Sequence, residues 1–175
     1  MTEAPFDPLR AIRTLERHRV RFVLIGGLGA RLHGSPTVTN DTDICYERTV
    51  ENLERLASAL RELGASLRAA PEDVPFLLDG ASLAAGDHFT FATKAGNLDC
   101  LGTPAGVGGF DALAAGAESF DMEGMTVLVA SIGDLIRMKR AAGRPKDLIE
   151  VEILAAVQEE TELQRETDAP TRRER

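Results

Sequence analysis

Apolar positions along the chain change period several times, and the changes mark its elements. Asp7 followed by Pro8 has the form of an N-cap and first helical position. Leu9, Ile12 and Leu15 continue at helical spacing, which predicts a short helix to about His18. The run RFVLIGG, residues 21–27, predicts a buried strand ended by two glycines. LGARLHG suits a short helix closed by Gly34, SPTVTN reads as a loop, and DTDICY reads as a second strand. Thr49 then caps an amphipathic helix whose stripe is Leu53, Leu56, Leu60 and Leu63, with Gly64 at its C′ position.

Beyond this helix, ASLRA is a short strand, and residues 70–87 read mostly as loop. HFTFATKAGNLDCLG has the alternation and turn of a hairpin. FDALAAGA reads as a short helix, and ESFDMEGMTVLVA as a second hairpin around Glu123 and Gly124. Ser131, with Asp134 three residues later, forms a capping box for a helix to about Ala142. Gly143 and Pro145 break it, and a last helix is expected over residues 146–158. The pattern predicts an α+β class, a mixed sheet flanked by helices, in one domain over residues 1–157. Residues 158–175 are polar and read as a frayed or disordered tail.

Bulk composition narrows the function classes. A chain of 175 residues with 43% hydrophobic and 27% charged residues has an ordinary globular balance. No apolar run approaches a membrane span, and the N-terminus has no secretion-signal pattern, so a cytoplasmic protein without membrane partners is expected. Cys45 and Cys100 make neither a disulfide framework nor a zinc site. The net charge of −8 argues against a broadly basic nucleic-acid surface, but leaves room for a local basic patch.

The chemistry gathers around Asp41 and Asp43. On a strand they share one face, about 6–7 Å apart at the backbone. Two like charges entering a core are unfavourable unless a cation lies between them, and a divalent metal such as Mg²⁺ meets that need. A bare D-x-D is common and also suits a turn cap beside an exposed strand end. Here it follows a strand, a Gly-Gly turn and a helix. A third acid, Asp99, lies between Leu98 and Cys100 and therefore points away from them. If its strand neighbours the first, three carboxylates meet on one sheet face, a set able to hold metal ions for phosphoryl transfer.

Gly26, Gly27 and Gly29 do not form G-x-G-x-x-G, so a dinucleotide fingerprint is not present. Glycines at a strand end still let phosphates approach backbone N–H groups, and an ordinary tight turn explains them equally well. Lys139 falls on the apolar stripe of Ile132, Leu135 and Ile136, and an inward lysine must meet an anion, either a nucleotide phosphate or the acid cluster. Arg137 and Arg140 lie outside the stripe, while Arg144 and Lys146 flank the helix break, within reach of an acidic substrate. Asp147 faces inward, where it could cap the last helix or orient a lysine. Ser35 and Thr39 are hydroxyls that suit either a phosphate contact or a turn. His33 and His88 read as loop or turn residues, and Cys45 as a small buried hydrophobe.

Taken together, GGLGARLHGSPTVTNDTDI resembles the signature of the polymerase-β-like nucleotidyltransferase superfamily. With DICYERTVENLERLASAL, GDHFTFATKAGNLDCLG and SIGDLIRMKRAAGRPKDLIEVEIL, the resemblance extends over residues 20–157 to AbiEii-type and MenT-like nucleotidyltransferases, toxins of type IV toxin–antitoxin pairs. The resemblance implies a minimal nucleotidyltransferase fold and transfer of a nucleoside monophosphate from an NTP to an acceptor hydroxyl. It implies that Asp41, Asp43 and Asp99 hold Mg²⁺ or Mn²⁺, with Asp99 as metal ligand or base. Gly26 and Gly27 would cradle the phosphates, and Lys139 would neutralise them. It points to tRNA or another RNA as acceptor and to a cognate antitoxin as partner. Relatives often carry Arg where this chain has Thr37. That departure keeps a second reading in view, a non-catalytic nucleotide- or partner-binding module on the same fold. A small molecule or a protein is the other acceptor class.

Overall fold

The computed structural model describes residues 4–71 and 75–168. Helix α1 (Pro8–Arg17) opens the chain, and the Asp7 side chain accepts from the Arg10 N–H at its N-cap. Strand β1 (Phe22–Ile25) leads into α2 (Gly26–Leu32). Gly26 and Gly27 therefore open the helix rather than end the strand. After the loop come β2 (Asp41–Tyr46) and α3 (Val50–Glu62), capped by the Thr49 hydroxyl. A two-residue β3 (Ser66–Leu67), α4 (Gly80–Ala85) and the hairpin β4 (His88–Thr93) and β5 (Gly96–Leu101) follow. Helix α5 (Phe110–Gly116), the hairpin β6 (Glu118–Met122) and β7 (Met125–Val129), α6 (Ile132–Ala142) and α7 (Pro145–Asp168) complete the order.

Two expectations are corrected. Within residues 70–87, Gly80–Ala85 is helical, because Asp79 supplies an N-cap to the Ser82 N–H. Residues 72–74 lie outside the described residues. The last helix starts at Pro145 and runs to Asp168, well past Gln158. Glu, Leu, Gln and Arg are good helix formers, and Arg165 reaches back to Glu118 of β6. Residues 169–175 of the expected tail lie outside the described residues.

One mixed sheet carries all seven strands, in the order β3-β4-β5-β2-β1-β7-β6. The β2–β5 and β1–β7 pairs are parallel, and the others are antiparallel. The strands sort their side chains by parity. Phe22, Leu24, Ile44, Tyr46, Leu98 and Cys100 enter one core with α1, α3 and α4. Val23, Ile25 and Cys45 enter a second, smaller core with α5, α6 and α7. Asp41 and Asp43 share the parity of Cys45, so they open on the second face, as the sequence predicts.

Candidate active site

Pairing across β2 and β5 brings the acids together. Asp43 stands opposite Asp99, and Asp41 opposite Asn97. In a parallel pair, residues in register share a face, so the three carboxylates lie on one patch of sheet. Asp41 accepts from the Asn97 amide at 3.2 Å. On the other side of β2, Ile25 pairs with Asp43, which places the Asp43 carboxylate over the start of α2. Gly26 sits there with φ +66°, and a Cβ at that position would collide with the Asp43 carboxylate. Gly27 is similarly tight, since its Cβ would come within 2.8 Å of the Thr39 Cβ. The Gly-Gly pair is thus required by close approach of a carboxylate and a threonine, and by a left-handed backbone that disfavours side chains.

These residues line one cavity of about 650 Å³. Its floor is the acid patch. Gly26, Gly27, Thr37, Thr39 and Asn97 form one wall, and Lys139, Arg144, Lys146, Asp147 and Glu150 of the α6–α7 corner form another. Thr39 closes a small turn, accepting from the Asp41 N–H at 3.4 Å. Ser35 is the predicted residue that stays out of the wall. It is buried, and its hydroxyl is 2.9 Å from that of Thr37. His88 is in β4 rather than in a loop and touches the cavity. His33 ends α2, bonds the Ala130 carbonyl and meets the edge of Phe120, a structural role. Cys45 is buried, as expected of a small hydrophobe.

Electrostatics mark the acid patch as crowded. Burial first, then Asp99 and Asp41, push the Asp43 carboxyl up to about 7, while Lys139 and Arg68 pull it down. Burial also raises Asp99, against the opposing pull of Arg68. Among the described residues, no group of three or more His, Cys, Asp or Glu is gathered closely enough to hold a metal ion. The donor set still suits a hard cation. Asp41 and Asp43 offer two carboxylates on one face, and Mg²⁺ is commonly held by one or two carboxylates with substrate phosphates and waters.

Arg68 was not legible as a site residue. It follows β3, donates its N–H to the Thr90 carbonyl, and pairs with Asp99. Its Nε is buried without a partner. The sequence marked ASLRA as a short strand, but not that β3, β4 and β5 lie side by side. Glu150 was missed as well. Lys139 points inward and pairs with Glu150 and, at 3.6 Å, with Asp147. Asp147 is fully buried and performs both roles left open for it. It accepts the Arg144 backbone N–H at 3.2 Å, capping α7, and its oxygens take the Arg144 guanidinium. Burial works against its charge, but the Arg144 bonds and Lys139 hold its carboxyl below the usual range.

The basic stretch changes character in this setting. Arg137 pairs with Asp134, Lys139 with Glu150 and Asp147, and Arg144 with Asp147. Much of its positive charge is matched within α6 and α7.

With this geometry in place, three solved structures align over most of their length. A Thermotoga maritima protein provisionally designated a nucleotidyltransferase, TM1012, matches with TM-score 0.56 and 16% identity, over 85% of this chain and 94% of that one. This chain has the nucleotidyltransferase fold. The lincosamide antibiotic adenylyltransferase LnuA, in a lincomycin-bound structure, matches with TM-score 0.58 and 12% identity, over 87% and 99%. The antibiotic-resistance factor ANT(2'')-Ia matches with TM-score 0.52 and 14% identity, over 91% of each chain. No protein-family model matches the sequence, and no curated protein matches it either. Among the described residues, no helix is long and apolar enough to cross a membrane.

Proposed function

We propose that the chain is a metal-dependent nucleotidyltransferase that moves a nucleoside monophosphate from an NTP to an acceptor hydroxyl. The observation that carries this reading is the in-register facing of Asp43 and Asp99, with Asp41 beside them, on the floor of a cavity edged by Gly26, Gly27 and Lys139. Asp41 and Asp43 would hold Mg²⁺ or Mn²⁺, with Asp99 beside them as base toward the acceptor rather than as the third ligand that the resemblance implies. When bound, the cation supplies charge neutralisation of the phosphates and of the crowded carboxylates. The remaining work belongs to the chain. The backbone at Gly26 and Gly27 leaves room for phosphate oxygens, and Lys139 offers an ammonium beside them. Arg68 holds Asp99 in place and favours its ionised form. In this reading the chain works in the cytoplasm, where NTPs are supplied.

Two acceptors compete. The toxin reading, in which a tRNA or another RNA is modified and an antitoxin silences the activity, rests on the resemblance of residues 20–157. The small-molecule reading is favoured by a specific observation. Arg137, Lys139 and Arg144 are paired with acids, which leaves less free positive charge for an RNA backbone. Two of the fold neighbours are an antibiotic adenylyltransferase and an antibiotic-resistance factor. Incubation with each α-³²P NTP, Mg²⁺, total tRNA and a panel of hydroxyl-bearing small molecules, followed by separate counting of RNA, protein and small-molecule fractions, distinguishes them. Label is expected in one fraction and should fall by more than about 100-fold in Asp41→Ala and Asp43→Ala. Nucleotide binding without turnover in any fraction would instead favour the binding-module reading that Thr37 motivates.

A further inference from the structure

Lys139 is one of the cations lining the cavity, with Arg144 and Lys146, and its ammonium is already matched by Asp147 and Glu150. Its two partners are not equivalent. Asp147 is fully buried and committed elsewhere, taking the Arg144 backbone N–H and guanidinium at 2.6–3.2 Å. Glu150, one turn further along α7, has Lys139 as its only ion-pair partner among the described residues. Both side chains are mostly buried, with 17% and 20% exposure, and both line the cavity whose floor is Asp41, Asp43 and Asp99. A carboxylate placed there occupies the ammonium that an incoming phosphate oxygen would need.

We propose that Glu150 is an affinity-determining residue of the phosphate subsite, competing with the incoming polyphosphate for Lys139. This rests on the transferase reading for its biological meaning, but not for its test. The exchange is chemically simple. One anion leaves the ammonium and another of higher charge takes it, while Asp147 keeps the lysine tethered and stays bonded to Arg144. Glu150 thereby sets how much phosphate charge, and how much accompanying metal, is needed before the subsite fills.

The test uses inorganic tripolyphosphate with excess Mg²⁺, titrated calorimetrically into the full chain. Glu150→Gln keeps the shape and removes the charge, and it should bind about five- to tenfold tighter than the wild type. In the double variant Glu150→Gln with Lys139→Gln that gain should vanish, since the competition requires the lysine. Equal affinity of the wild type and Glu150→Gln, including no binding by either, overturns the proposal. So does a gain that persists without Lys139, which would mark a general charge effect. Label transfer from NTP is scored separately. Its absence alongside the tripolyphosphate result above would sink the transferase reading and leave the role of Glu150 standing.

Discussion

The two faces of strand β2 differ in what they ask of their neighbours. One face sends Ile44 and Tyr46 into the larger core with α1 and α3, and Thr42 on the same face is fully buried as well. The other carries Asp41, Asp43 and Cys45, with the acids on the floor of a cavity. The first face gains from the apolar area that Ile44 and Tyr46 bury on folding, offset in part by the Thr42 hydroxyl, which is buried without a partner. The second gathers like charges, and burial first, then their crowding, raises Asp43 to about 7. Alternation lets six residues do both, so the closed face can hold the open one rigid. Stability and chemistry are thereby separated by a single Cα.

That separation can be broken from the closed side first. Leu98 is fully buried on the closed face of β5, beside Asp99. Leu98→Ala should lower unfolding stability by about 2–5 kcal/mol, read by urea denaturation, with the folded fraction keeping most of its transfer activity. A loss of activity far larger than the loss of folded protein would show that the faces are coupled. Gly26→Ala strikes the boundary. It should cost about 1–3 kcal/mol, and it should also weaken nucleotide binding, because the new methyl meets the Asp43 carboxylate. If binding survives unchanged, the Gly-Gly turn is only a turn.

The smallest expected effect has the opposite sign. Below about pH 4, Asp43 is protonated in both folded and unfolded chains. Between there and about pH 7 the folded chain keeps a proton that the unfolded chain releases, so stability falls as pH rises through that window. Asp43→Asn removes this loss. Without metal, its melting temperature should exceed the wild type's by roughly 5 °C at pH 8 and match it near pH 4. A variant less stable than wild type at pH 8 would mean that ionised Asp43 is favourably held, against its burial beside Asp99 and Asp41.

The parity that makes this comparison possible was legible in the sequence, because a strand's two-residue period needs no knowledge of its neighbours. The spacing of Asp41 and Asp43 and the flank of Asp99 by Leu98 and Cys100 followed from it, while the inward stripe of Lys139 followed from the helical period. The mixed sheet flanked by helices was likewise anticipated by the order of elements, and the nucleotidyltransferase fold by the resemblance of GGLGARLHGSPTVTNDTDI. Strand adjacency was not legible. The pairing of β2 with β5 joins residues more than fifty positions apart. Arg68 reaches Asp99 because three strands lie side by side, and short runs do not state that order. The basic stretch misled for a related reason. Its charges were counted along the chain, whereas Glu150 and Asp147 answer them across a helix corner. Helix α4 escaped because six residues carry little periodicity, although Asp79 signals the cap.

The register of β2 carries a consequence of another kind. Asp43 is fixed between Ile25 on one side and Asp99 on the other. A slip of one residue would turn Asp41 and Asp43 into the larger core and bring Thr42, Ile44 and Tyr46 out to the cavity. Two buried, unpartnered carboxylates would make such a state unsustainable. A miswired copy of this site therefore has no folded form in which to persist, and the acids that invite the chemistry also proofread the sheet that presents them.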